Sequence, residues 1–204
     1  MPDAQEILEL CGLLERGEID SPLFFERFTR AMAALIGCSR AGVWMFFGAA
    51  ADAALRCIAM YDATQGRMVP VADIVNARDG LYFEALLRDD CMVAPHARSH
   101  AATIGFLDDY LLPLDIHSRL DVGFSVNGQL FGTFSCEQIG APMVWTQRQL
   151  QLLRQIASRA SLTLMHAATA TVDTAPGALW ESSGPNRYRT MPLASGPSKG
   201  PAKP

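Results

Sequence analysis

The sequence predicts an α+β fold. Apolar residues recur at helical spacing near both ends of the chain, short runs of alternating polarity lie between them, and one pair of runs is joined by an Asn-Gly turn. With 204 residues, half hydrophobic and 19% charged, the chain can bury one core of ordinary size.

Asp3 and Glu6 read as a capping box for a first helix, whose stripe carries Ile7, Leu10, Cys11 and Leu14 and which Gly17 can end. Ser21-Pro22 reads as N-cap and first position of a second helix, striped by Phe25, Phe28, Met32, Leu35 and Ile36. Gly42 to Phe47 and Leu55 to Tyr61 are strand-like, joined by a loop of small residues. Asp79 to Leu87 predicts a short helix, Cys91 to Ala94 a short strand, and Thr103 to Leu112 another short helix.

The clearest element is a hairpin. Leu120, Val122, Phe124 and Val126 alternate with polar or small residues, and Asn127-Gly128 supplies a type I′ turn. The return strand places Leu130, Gly132, Phe134 and Cys136 on one face, and Phe131, Thr133, Ser135 and Glu137 on the other. After a break at Gly140-Ala-Pro142, Thr146 and Gln149 form a capping box for a long last helix with Leu153, Ile156, Ala157, Ala160 and Leu164 as its stripe.

From Thr171 onward six of the twelve prolines and four glycines crowd together, which predicts a flexible tail, with Trp180, Tyr188 and Met191 as apolar exceptions. The net charge is −4 and the lysines, Lys199 and Lys203, both sit in that tail, so the body lacks the concentrated basic surface that nucleic-acid binding needs. No apolar run is long enough to cross a bilayer, and the acidic start lacks a secretory n-region; the expected location is the cytoplasm. Cys11, Cys38, Cys57, Cys91 and Cys136 are odd in number and widely spaced, which suits a reducing compartment and argues against a disulfide framework or zinc ribbon. Cys11, Cys38 and Cys57 have apolar neighbours and read as small core residues.

Several segments resemble the GAF family in order. Leu112-Pro-Leu-Asp-Ile-His-Ser118-Arg-Leu-Asp121-Val122 is similar to its short helix and following strand, and Asn127-Gly-Gln-Leu-Phe-Gly132-Thr-Phe-Ser-Cys136-Glu137 to its hairpin. Gly140 through Trp145-Thr146 resembles the entry to its last helix, and Tyr82-Phe83-Glu84-Ala85-Leu86 a helix of many bacterial members. Gly123, Phe124 and Gln149 depart from the pattern. The resemblance implies a six-stranded antiparallel sheet, terminal helices on one face, and short helices and loops covering a ligand pocket on the other. It divides the chain into a helix for packing or dimerisation at 1–20, a GAF-like domain at 21–170 and the tail at 171–204. It also implies that such modules bind small molecules and pair through their terminal helices.

The polar loop over the expected pocket holds His96, Arg98 and His100; arginine and histidine donors there could hold a carboxylate or phosphate, against the alternative of a solvated loop. The His96–His100 spacing suits a metal only on a helix, which Pro95 opposes, so no metal site is assigned. Trp44, Phe46, Tyr82, Phe83, Phe106 and Tyr110 are candidates to line an apolar cavity, and ordinary core is the alternative for many of them. Arg119 could reach a ligand anion or form a salt bridge. Cys91 is a candidate attachment or redox cysteine, although Cys91-Met92 lacks the Cys-His pair of tetrapyrrole-binding members. Asp121 and Glu137 read as solvated or hydrogen-bonded carboxylates without a nucleophile, and no catalytic constellation is present.

Three functions follow as expectations. The first is a small-molecule sensor that signals through its terminal helices or a protein partner, with its ligand and any cofactor unknown from the sequence. The second is a dimerisation or docking module whose pocket is filled by its own side chains. The third is a thiol-based reductase resembling the free methionine sulfoxide reductases. The stripes of the end helices predict a homodimer through Ile7, Leu10, Leu14, Leu153, Ile156 and Ala160.

Overall fold

The computed structural model describes residues 4–47, 54–75 and 80–173. Asp3 with its cap, the loop between the first two strands, Asp79, and the tail residues Trp180, Tyr188 and Met191 lie outside them. Two helices open the chain, α1 (Ala4–Glu15) and α2 (Ser21–Ile36), followed by strands β1 (Arg40–Phe47), β2 (Ala54–Asp62), β3 (Arg67–Met68) and β4 (Ile74–Val75). Then come α3 (Gly80–Asp89), β5 (Cys91–Ala94), a 3₁₀ turn (Ile104–Phe106), a π-helical turn (Leu107–Leu111), β6 (Ile116–Val126), β7 (Gln129–Ile139) and α4 (Gln147–Asp173). Six strands lie in the order β3-β2-β1-β7-β6-β5, with β4 pairing β2 off that path, and every pair is antiparallel.

Local chemistry explains the ends of the elements. The N-cap of α2 is Asp20, one residue earlier than the sequence predicts: its carboxylate accepts the Leu23 N–H at 2.9 Å, and Ser21 is already helical. The Thr146–Gln149 capping box forms as expected, with both reciprocal bonds, and Gln149 Nε2 also donates to the Ile36 carbonyl at 2.8 Å. That last bond satisfies an orphan carbonyl of α2 and fixes where α4 begins. The helix expected at Thr103 to Leu112 is a 3₁₀ turn running into a π turn, which buries Phe106, Tyr110 and Leu111 while Asp108 and Asp109 face water.

One face of the sheet carries the helices. Residues Ala41, Val43 and Met45 of β1, Leu120, Val122 and Phe124 of β6, and Phe134 and Cys136 of β7 share one core with Phe24, Phe28 and Met32 of α2 and Leu153, Ile156 and Ala160 of α4. Burying each Val, Leu, Ile, Phe or Met side chain among these contributes about 1.5–3 kcal/mol before entropy is counted. α1 lies outside α2 and α4 and packs on both. This corrects the expected dimer surface: Ile7, Leu10, Leu153, Ile156 and Ala160 are buried within the chain's own core, and Leu14 is partly buried against it. The sheet face is covered by two layers of helix, so these stripes are consumed internally.

A bulge sets the hairpin register. Asn127 and Gly128 both adopt positive φ, as a type I′ turn requires, but the pairing shifts between Phe124 and Ser125, which leaves Phe131 unpaired. Beyond that extra residue the faces exchange. Phe131 packs on the helix side and Leu130 on the opposite side, the reverse of uninterrupted alternation. The shift aligns Gly132 with Met45 of β1, where a Cβ would fall 1.9 Å from the Trp44 carbonyl and 2.7 Å from the Phe124 ring. Gly132→Ala is therefore expected to cost about 3 kcal/mol or more by urea denaturation. Gly128→Ala, with positive φ but open space around it, is expected to cost about 1–2 kcal/mol. Equal losses would contradict the close approach.

Candidate functional site

Alternation puts Arg40, Gly42 and Trp44 of β1, Arg119, Asp121 and Gly123 of β6, and Thr133, Ser135 and Glu137 of β7 on the face away from the helices. The register lines four of these strands' charges into one row, Asp62–Arg40–Glu137–Arg119, alternating in sign across β2, β1, β7 and β6. All four residues are buried, and so is Asp121. Arg40 Nη1 lies 3.4 Å from Glu137 Oε2 and its Nε 4.0 Å from Asp62 Oδ2. Asp62 in turn accepts the backbone N–H groups of Thr64 and Gln65, which close the turn into β3.

Arg119 stands at the centre of the cover side. Its Nε lies 3.2 Å from Asp121 Oδ2, and its Nη2 donates to Asp121 Oδ1 and to Ser135 Oγ, both at 3.2 Å. The guanidinium carbon is 5.5 Å from the Tyr82 ring, 5.6 Å from Phe106 and 5.5 Å from Tyr110, so three aromatic faces enclose it. Burial works against its charge, but Asp121, Tyr82, Glu137 and Tyr110 outweigh that penalty and hold it protonated beyond its usual range. The tyrosines also fasten the cover to the sheet. Tyr82 of α3 donates to Asp121 Oδ2 at 3.1 Å, and Tyr110 of the π turn donates to Glu137 Oε1 at 2.7 Å.

Of the candidates read from the sequence, the structure brings Trp44, Phe46, Tyr82, Phe83, Phe106, Tyr110 and Arg119 together. Trp44 meets Tyr110 edge-on at 5.9 Å, Tyr82 meets Phe106 at 5.0 Å, and Phe83 links Tyr82 to Phe46. The remaining four lie elsewhere. Arg98 donates to the Ile116 carbonyl at 2.9 Å and to Asp115, tying the loop to the start of β6. His96 is exposed, and His100 Nδ1 accepts the Ala102 N–H within its own turn. Cys91 pairs with Val122, packs on the helix face of the sheet, and contacts Arg154 Nη2 at 3.2 Å. Among the described residues no group of three or more His, Cys, Asp or Glu side chains is placed to hold a metal ion.

Arg40, Asp62, Asp121, Ser135 and Glu137 belong to the site although sequence reasoning did not select them. The i, i+2 spacing of Arg119 with Asp121, and of Ser135 with Glu137, put each pair on one strand face and was a usable signal. Burial pushes the thiols of Cys11, to about 11, and of Cys57 and Cys136 upward, the reverse of what a nucleophilic cysteine needs.

Among the described residues, the buried polar atoms on this face that make no hydrogen bond include the donors Arg119 Nη1, Arg119 Nε, Arg40 Nε and Trp44 Nε1 and the acceptor Glu137 Oε2; of these, Arg119 Nε, Arg40 Nε and Glu137 Oε2 stand at ion-pair distance from an opposite charge, 3.2, 4.0 and 3.4 Å. Such groups are rare in folded proteins. The buried tyrosines make a test of the geometry. Burial first, then Asp121 for Tyr82 and Glu137 for Tyr110, raise both phenols well above their ordinary value. Below about pH 10 both chain states hold these protons; above it the unfolded chain loses them first, so stability falls as pH rises. In a spectrophotometric titration Tyr82 and Tyr110 are expected to ionise only as the fold opens, and Tyr82→Phe or Tyr110→Phe should each remove one phenol from that late step. Ionisation of both near pH 10 in the folded protein would contradict their burial.

The chain is similar in structure to several solved GAF domains. The blue-light absorbing form of the Thermosynechococcus elongatus PixJ GAF domain is 18% identical, with a TM-score of 0.58 over 85% of this chain and 96% of that one. The phycocyanobilin-bound GAF domain of a cyanobacterial phytochrome is 12% identical, with a TM-score of 0.60 over 82% and 97%. The Stigmatella aurantiaca phytochrome photosensory core module is 14% identical, with a TM-score of 0.53 over 85% of this chain and 39% of its own length. These likenesses show a shared fold. No curated protein matches the chain. The GAF domain family matches residues 22–164, from the first turn of α2 to well inside α4. With the sheet order, the helix-covered face and the covered cluster on the other, this match establishes that the chain belongs to the GAF domain family.

Proposed function

We propose that this GAF domain is a regulatory module that binds a small molecule at the Arg119 cluster and passes the change to a protein partner or a second copy through α4. The observation that supports the reading is that Arg119 Nη1 and Trp44 Nε1 are buried donors without a hydrogen-bond partner, beside the rings of Tyr82, Phe106 and Tyr110. A folded chain keeps such groups unsatisfied at a cost, and a ligand that pairs them recovers it. No residue is assigned a catalytic role.

A contiguous set of contacts supports the output. Tyr82 touches Asp121 from α3; α3 ends at Asp89, whose carbonyl accepts from Arg154 Nη2 of α4 at 3.4 Å. The ligand would shift α4 only by binding one arrangement of these elements more tightly than another. The exposed positions left on the two packed terminal helices, Leu8 of α1 and Leu162 of α4, replace the buried stripes as the candidate pairing surface.

A second reading is favoured by one observation: Arg119, Tyr82, Phe106 and Tyr110 are buried against one another and fill the space a ligand would take. On that reading the domain is a dimerisation or docking module. Native mass spectrometry of the protein purified from its own cells, set against its denatured mass, separates the two. An additional non-covalent mass of metabolite size, lost in Arg119→Met, is the expected result. A clean mass at the chain weight or twice it, in apo form under all growth conditions, would favour the docking module.

A further inference from the structure

The polar groups of the Arg119 cluster are unevenly used. Most of its acceptors are engaged: Asp121 receives Arg119 and Tyr82, and Glu137 Oε1 receives Tyr110, while Glu137 Oε2 makes no hydrogen bond but faces Arg40 Nη1 at 3.4 Å. Its free groups include two donors, Arg119 Nη1 and Trp44 Nε1. Both side chains are completely buried and both stand against the same Tyr110 ring, the indole at 5.9 Å and the guanidinium at 5.5 Å. A molecule entering here is therefore asked for acceptors.

The charge is also already settled. Two guanidinium groups, Arg40 and Arg119, face three carboxylates, Asp62, Glu137 and Asp121. A further anion would become a fourth negative charge among fully buried side chains, close to Asp121 and Glu137, where charges are poorly screened. A neutral acceptor satisfies the same donors without that penalty. The walls, Trp44, Tyr82, Phe106 and Tyr110, favour a flat partner. We infer that the site takes a small, flat, uncharged ligand presenting carbonyl or ring-nitrogen acceptors to Arg119 Nη1 and Trp44 Nε1, and discriminates against carboxylates and phosphates. This rests on the Arg119 cluster being a ligand site. It also moves recognition away from the His96–Arg98 loop, whose arginine is spent on Ile116 and Asp115. Entry requires the Ile104–Leu111 segment to lift, since Tyr110 ties it to Glu137.

Benzamide and benzoate test the inference on the full chain, because they share a ring and nearly a size but differ in charge. The readouts are the indole ¹⁵N–¹H resonance of Trp44, assigned by triple resonance and by its loss in Trp44→Phe, and the thermal midpoint. Millimolar benzamide is expected to shift that resonance and raise the midpoint, with benzoate at least tenfold weaker. Trp44→Phe, which keeps an aromatic wall and removes one donor, is expected to weaken benzamide roughly fivefold to tenfold. Benzoate binding as well as or better than benzamide would overturn the neutral class and leave the ligand site standing. Silence from both probes, in a protein that carries a metabolite from its own cells, would overturn the class as well. Silence from both with no such metabolite would bring down the ligand site itself.

Discussion

A guanidinium removed from water must be surrounded by opposite charge and donors' partners, and around Arg119 the fold supplies these from four separate elements. Asp121 comes from its own strand, Glu137 and Ser135 from β7, and Tyr82 and Tyr110 from the cover. Removing one partner from a buried ion pair typically costs about 3–5 kcal/mol, a large share of the 5–15 kcal/mol that keeps a domain folded. The arrangement thus selects against any register or cover position that leaves the charge alone. It ties together the sheet, the π turn and α3 in one cluster, while the other face of the same sheet is held mainly by apolar packing.

The sheet geometry follows from that constraint. Cross-strand pairing brings Arg40 and Arg119 to the two sides of Glu137, and a slip of one residue would turn Glu137 toward the helix core and Cys136 toward Arg119. The bulge at Phe131 provides the needed offset between the tight Asn127-Gly128 turn and the charged row. Gly132 then admits the close approach of β1 and the Phe124 ring. The turn, the bulge, the glycine and the ion row are consistent with one another, and local choices that agree in this way are what give a sequence a single fold.

What could be read from the sequence was local. The Asn-Gly turn, the Thr146–Gln149 box, the α2 stripe and the strand at Cys91–Ala94 each depend on residues a few positions apart. The misses were non-local or marginal. The two-residue strands β3 and β4 carry too few side chains for a periodicity, and Asp20 outcompeted Ser21 as a cap because the helix began one residue sooner. The end-helix stripes read as a dimer surface because nothing in the sequence says that α1 lies across α2 and α4. Seven of the eleven candidate side chains share the site because they are apolar or central to the hairpin. His96, Arg98 and His100 were chosen for being polar in a loop, and loop polarity does not encode where a side chain's bonds go; Cys91 was chosen for its thiol, and it packs on the helix side of the sheet. The charged row escaped notice because it exists only once four strands are in register.

Arg119 and its carboxylates clamp the cover onto the sheet through Tyr82 and Tyr110. Hydrogen–deuterium exchange in Arg119→Met, compared with the unaltered chain, reads that directly. Faster exchange is expected in the cover alone, α3 and residues 104–111, with α2, β7 and the first turns of α4 still protected. Exchange that rises equally throughout the domain, or a cover that remains as protected as before, would contradict the clamp.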